Sequence, residues 1–173
     1  MANDRQNLYF YYPPNEELDE KLKPLFRLAE ENGFTILEDP QDANIIVSVG
    51  GDGTFLQAVR KTGFRQDCLY VGVRREDEAG LDCDFNIDDF DKMVDSMVNA
   101  DLEVRRFPVI ETTVNNESTM LCLNECSVRS TLIKTIVIDV FIDGRQFETF
   151  RGDGLVVSTP TGSTGYNKST KGA

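Results

Sequence analysis

The chain has no histidine and no tryptophan, and only four cysteines and six prolines in 173 residues. Without histidine, any proton transfer near neutral pH falls to a carboxylate, lysine, tyrosine or cysteine, and a mixed cysteine–histidine zinc site is excluded. The cysteines, Cys68, Cys83, Cys122 and Cys126, form no C-x-x-C pair. Cys122 and Cys126 lie four apart in what reads as one strand, on one face, where two small buried hydrophobes fit. Nothing in their spacing recommends a disulfide or a metal. Positive charge is also short: 18 Lys and Arg against 30 Asp and Glu give a net charge of -12. That is the wrong sign for tracking a nucleic-acid backbone or an anionic membrane, so neither is an expected partner. No apolar run approaches the length of a membrane span, and the opening MANDRQN lacks the basic and apolar character of a signal peptide. A soluble, cytoplasmic protein is expected.

What is present is 40% apolar residues, enough for one good core or for one domain and part of another. The first half alternates strands and helices. NLYFYY (7–12) is β-prone and stops at Pro13 and Pro14. Asn15 can then cap a helix whose Leu18, Leu22, Leu25 and Ala29 share a face, with Pro24 expected to kink or restart it and Gly33 to end it. FTIL (34–37), NIIVSV (44–49) and LYVGV (69–73) read as further strands, and TFLQAVRKT (54–62) as a short helix. Phe90, Met93, Val94, Met97 and Val98 mark one more amphipathic helix. The alternation implies a parallel, Rossmann-like sheet.

Near Val104 the pattern changes to strands alone: FPVIETTV, MLCLNECSV, IKTIVIDVFI, QFETF and LVVST, with Asp143-Gly144 as a hairpin turn. The expected organisation is an α/β domain over 1–102 followed by an antiparallel all-β domain over 103–173. So few strands would leave an open edge, so the β domain is expected to be incomplete in this chain.

Three stretches carry chemistry. VSVGGDGTF (47–55) places glycines 50, 51 and 53 between a buried strand and a helix, where the backbone can approach an anion and helix amides point at it. Thr54 can cap that helix or offer a hydroxyl to phosphate. Asp52 would repel phosphates unless it meets a cation or takes a proton; the plainer alternative is a turn in which Asp52 caps the helix. LNEC (123–126) sets Asn124 and Glu125 in an apolar strand, as suits the hydroxyls of a ribose or sugar, or as a solvated strand end would. RGDGLVVSTPTGSTGYNKS (151–169) flanks a glycine with Arg151 and Asp153. It then runs through Thr159, Thr161, Gly162, Ser163, Thr164 and Gly165 to Tyr166, as a nucleotide loop or a flexible linker. An acidic protein binding a nucleotide beside Asp52 needs a metal ion for charge balance; Mg²⁺ held largely by the phosphates is expected, without protein ligands.

Together, GGDGT at 50–54, Asn124-Glu125, and RGDG with TPTGSTGYNKS resemble the signatures of the NAD kinase family, in the same order. That resemblance implies a phosphofructokinase-like first domain and phosphoryl transfer from ATP or polyphosphate, with Mg²⁺ or another divalent cation, to the adenosine 2′-hydroxyl of NAD, giving NADP. It implies Asp52 as proton acceptor, with Gly50, Gly51, Gly53 and Thr54 lining the phosphates. Asp52, Gly53, Asn124, Glu125, Arg151, Asp153, Thr161, Thr164, Tyr166 and Ser169 would contact NAD, with Thr161 near the adenine. It also implies a homo-oligomer, dimer or tetramer, and a chain truncated at its C-terminus. The chain departs from the family pattern in the acidic RREDEAGLDCDF (74–85), at Gly165 and at Cys126. Other readings are a lipid or diacylglycerol-type kinase sharing the GGDGT loop, and an inert fragment that binds NAD without chemistry.

Overall fold

The computed structural model describes residues 6–75, 83–99, 103–132 and 134–172. The chain divides into two compact units, Met1–Val104 and Arg105–Ala173.

The first unit is built on five parallel strands: β1 (Asn7–Tyr11), β2 (Thr35–Leu37), β3 (Ile45–Val49), β4 (Leu69–Arg74) and β5 (Phe85–Asn86), in the order β2-β1-β3-β4-β5. The short β5 carried no strand signal in the sequence. Three helices, α1 (Glu16–Glu31), α2 (Asp52–Lys61) and α3 (Phe90–Val98), cover the sheet. Side chains alternate across β3: Ile45, Val47 and Val49 pack with Leu18, Leu22 and Leu25 of α1 and Met93 and Val94 of α3, while Ile46 packs with Ala58 of α2. Both faces of β3 are therefore covered, which is why its residues form a near-continuous apolar run.

Local signals explain the ends of α1. Asn15 accepts a hydrogen bond from the Glu17 amide at 2.9 Å, and Gly33 follows the helix at φ +86, a conformation that glycine adopts without strain. The restart offered as one outcome at Pro24 is corrected: α1 is one helix of 16 residues with Pro24 inside it. Pro24 is on the exposed side, and the buried Leu18 and Leu22 before it and Leu25 and Ala29 after it anchor both halves. Their burial outweighs the ~3 kcal/mol propensity cost of proline. In α3, Met93, Val94 and Met97 are buried, but Val98, assigned to the same stripe, is 47% exposed.

The second unit is antiparallel. β6 (Ile110–Val114) pairs with β7 (Ser118–Cys122), β9 (Ile136–Ile142) with β10 (Arg145–Gly152), and β8 (Glu125–Arg129) with β11 (Gly154–Ser158). Asp143 and Gly144, at φ 50 and 75, turn β9 into β10 as the sequence predicts. The single strand expected from MLCLNECSV is corrected to two, β7 and β8, because the chain leaves the ladder at Leu123 and Asn124. Cys122 thus sits opposite Ile110 and Cys126 opposite Val157, in different pairs rather than along one strand face. The open loop expected after β11 is instead a 3₁₀ turn (Thr161–Thr164) and a helical turn, α4 (Tyr166–Ser169).

Candidate nucleotide site

In the first unit, β3 delivers the chain directly into the glycine loop. Gly50 extends the ladder, donating its amide to the Val73 carbonyl at 2.8 Å, and has φ +151. A side chain there would collide with Thr54, with Cβ atoms 2.7 Å apart, so glycine is required on two counts. Gly51 occupies the N-cap of α2 without any side-chain cap bond, and Asp52 is the first helical residue. The helix-capping readings of Asp52 and Thr54 are thereby corrected: Thr54 lies within the first turn, its amide bonded to the Gly51 carbonyl at 2.9 Å. Asp52 is half-buried, and Gly53 is exposed with nothing within 4 Å of where a Cβ would stand. This is open backbone at the amino end of a ten-residue helix, the arrangement that receives anions. Two residues before Gly50, the Ser48 hydroxyl is buried and has no hydrogen-bond partner among the described residues.

The second unit gathers the other motifs around the break between β7 and β8. The Asn124 carbonyl, beyond the end of the β6–β7 ladder, accepts from the Thr159 amide at 2.8 Å, in continuation of the β8–β11 register, and from the Thr159 hydroxyl at 3.0 Å. That hydroxyl also donates to the Leu123 carbonyl at 2.7 Å, meets Thr161 Oγ1 at 2.8 Å and accepts from the Gly162 amide at 3.1 Å. Gly162 is buried directly against Asn124, and a Cβ on it would stand 2.7 Å from the Asn124 Cα and closer still to its carbonyl. Glu125 opens β8 opposite Ser158; its Oε2 is buried without a hydrogen-bond partner among the described residues, and a Cβ on Gly165 would stand 3.6 Å from it. A buried acceptor of this kind is costly unless a donor reaches it, so the cluster is built to receive one.

Asn124, Glu125 and Thr161 are therefore brought together. Thr164, Tyr166 and Ser169 follow on the adjoining turn and are exposed, Tyr166 by 45%. Arg151 and Asp153 make none of these bonds. The β8–β11 register sets Gly154 opposite Arg129 and Ser158 opposite Glu125, so Asp153, just before Gly154, lies at the other end of the strand pair, roughly 13 Å or more from Ser158 at ~3.3 Å per residue. Arg151 belongs to β10, opposite Val137 of β9. Sequence reasoning passed over Thr159 and Gly162 as individual residues; the available signal was a threonine ending the apolar strand LVVS just before Pro160. Cys122 is held protonated: burial pushes its thiol above the ordinary value, the neighbouring Cys126 thiol adds to this, and a hydrogen bond with Thr112 opposes it. Among the described residues, no cluster of three or more His, Cys, Asp or Glu could hold a metal ion, and no helix is long and apolar enough to cross a membrane. The acidic departure from the family pattern lies largely in 76–82, outside the described residues.

Residues 123–173 match the family model of the ATP-NAD kinase C-terminal domain. Over 170 residues the chain is 63% identical to NAD kinase 2 of Oceanobacillus iheyensis, covering 98% of this chain and 64% of that protein. Over 173 residues it is 57% identical to NAD kinase 2 of Bacillus subtilis, covering 100% and 65%. It thus spans somewhat less than two thirds of these relatives. Among solved structures, the yeast NADH kinase complexed with NADH is similar at TM-score 0.80 and 19% identity over 99% of this chain and 59% of that one. An NAD kinase from Archaeoglobus fulgidus in complex with ATP is similar at TM-score 0.74 and 29% identity, over 96% and 66%.

Proposed function

The chain belongs to the NAD kinase family, and on that footing we propose that it forms the larger part of an enzyme transferring a phosphoryl group from ATP to the adenosine 2′-hydroxyl of NAD, giving NADP. The observation that carries this reading is the buried, unpartnered Glu125 Oε2 beside Asn124, an acceptor waiting for a donor such as a ribose hydroxyl. Relatives that are NAD kinases at 57–63% identity leave the lipid-kinase reading without support.

In this reading Asn124 and Glu125 fix a ribose of NAD, and Thr161, Thr164, Tyr166 and Ser169 line the same ligand. Arg151 and Asp153 contact the same ligand, Asp153 from the end of β8–β11 away from Glu125. Gly50, Gly51, Gly53 and Thr54 line the phosphates at the start of α2, where Gly53 is open. Asp52 accepts the proton as the 2′-hydroxyl attacks the γ-phosphorus; the bond to the β–γ bridging oxygen breaks and ADP leaves. A divalent cation such as Mg²⁺, held largely through the phosphates, would neutralise their charge. Polyphosphate as an alternative donor, a cytoplasmic location and the division at 102/103 into a Rossmann-like, phosphofructokinase-like domain and a β domain belong to the same proposal. So does a homo-oligomer, which the exposed Val137, Phe141 and Phe147 of β9 and β10, at 64, 58 and 70% exposure, support.

The test is NADP formation from NAD, ATP and Mg²⁺, read with an NADP-specific dehydrogenase, on this chain and on a version extended to the length of its relatives. Activity in either supports the reading. A folded, extended protein that forms no NADP refutes it.

A further inference from the structure

Thr159 is 4% exposed, and its hydroxyl is engaged on every side. A hydroxyl carries one proton and two lone pairs. The carbonyls of Leu123 at 2.7 Å and Asn124 at 3.0 Å can only accept, so they share the proton. The Gly162 amide at 3.1 Å can only donate and takes one lone pair. The Thr161 hydroxyl, 2.8 Å away, completes the set, with either hydroxyl able to donate to the other, and it also reaches the Leu123 carbonyl at 3.4 Å. Thr159 therefore spends its hydroxyl within the protein rather than on a ligand.

We propose that Thr159 is a positioning residue for NAD: its hydroxyl locks the Leu123–Asn124 break against the Gly162 turn and so sets where Asn124 and Glu125 present their side chains. The inference rests on the reading of this cluster as an NAD site. The break needs such a lock because at Leu123 and Asn124 the chain passes from pairing with β6 to pairing with β11: the Asn124 carbonyl is held by Thr159, the next residue in the β8–β11 register, through both the amide at 2.8 Å and the hydroxyl at 3.0 Å. Ligand groups held to within ~0.5 Å bind productively, and looser placement loses affinity steeply.

The experiment uses the protein at the length of its relatives, with Thr159→Val, which keeps the shape and removes the hydroxyl, and Thr159→Ser, which keeps the hydroxyl. NAD affinity is measured by calorimetry, KM is measured for NAD and ATP separately, and melting temperature is recorded. Thr159→Val is expected to raise the NAD constants about tenfold with the ATP KM within about twofold, and Thr159→Ser to bind NAD within about twofold of wild type. Thr159→Ala stands in if the valine variant does not fold. Unchanged NAD affinity in the hydroxyl-free variant overturns the inference. So does a serine variant as impaired as the valine one, or NAD and ATP constants that rise together. Failure of the wild-type protein to bind NAD overturns the reading of the site and this inference with it, whereas wild-type binding that survives loss of the hydroxyl overturns the inference alone.

Discussion

Gly162→Ala puts the cluster around Asn124 under direct strain. A Cβ at 162 would stand 2.7 Å from the Asn124 Cα, against 3.4 Å for an ordinary contact, and it approaches the carbonyl more closely still. Restoring contact distance means a retreat of at least ~0.7 Å between two backbone segments, neither of which is a flexible side-chain tip. That retreat stretches the bonds of the Thr159 amide to Asn124, at 2.8 Å, and of the Gly162 amide to the Thr159 hydroxyl, at 3.1 Å. Overpacking of about 1–3 kcal/mol and two weakened hydrogen bonds at ~1 kcal/mol each amount to a loss of about 3–5 kcal/mol. Urea denaturation of the alanine variant should show the loss as a lower midpoint at unchanged slope, and calorimetry should show weakened NAD binding in the fraction that remains folded. Wild-type stability together with wild-type NAD affinity would refute the close packing of Gly162 on Asn124 and, with it, the geometry of the whole cluster.

Asp52→Asn should lower turnover about 10²- to 10⁴-fold while leaving NAD affinity near wild type, because a base acts in the transition state; equal turnover would remove Asp52 from that role. Glu125→Ala should raise the KM for NAD about 10- to 100-fold, the range of a hydrogen bond to a charged group, with melting temperature little changed since Oε2 has no partner to lose among the described residues. A fall in turnover with KM unchanged would count against the ribose contact. Alkaline pH should destabilise the fold: burial raises Cys68 and Cys122 above 9.0 and Tyr12 and Tyr70 above 10.0. The unfolded chain then loses these protons first, so the stabilisation is intact below pH 9.0 and is lost as pH climbs through the folded-state values. Urea midpoints that rise above that pH would contradict the sign.

Much of the architecture is local in origin and was legible in the residues. Asn15 caps α1 through a bond to Glu17, and Asp143-Gly144 turns β9 into β10 with both residues at positive φ, in each case through neighbours in the chain. The parallel sheet follows from apolar runs such as 45–49, whose uniform burial matches their composition. The candidate site was legible as a set of motifs: glycine where Thr54 crowds Gly50, and a polar pair where β7 and β8 separate. Its internal structure was not. Nothing in the spacing distinguishes a continuous strand at 120–128 from two strands, because the division comes from a change of partner, β6 before Leu123 and β11 after Asn124.

The sequence by itself thus determined the two kinds of layer, the helix caps, the hairpin turn and the identity of the chemical groups, since each depends on side-chain period or on residues a few positions apart. Only the tertiary structure decided that α1 continues through Pro24, that Asp153 and Glu125 stand at opposite ends of β8–β11, and that Thr159 ties residues 123 and 124 to 161 and 162. Those outcomes turn on burial and on hydrogen bonds spanning 35 and 36 residues of chain, which no local pattern encodes.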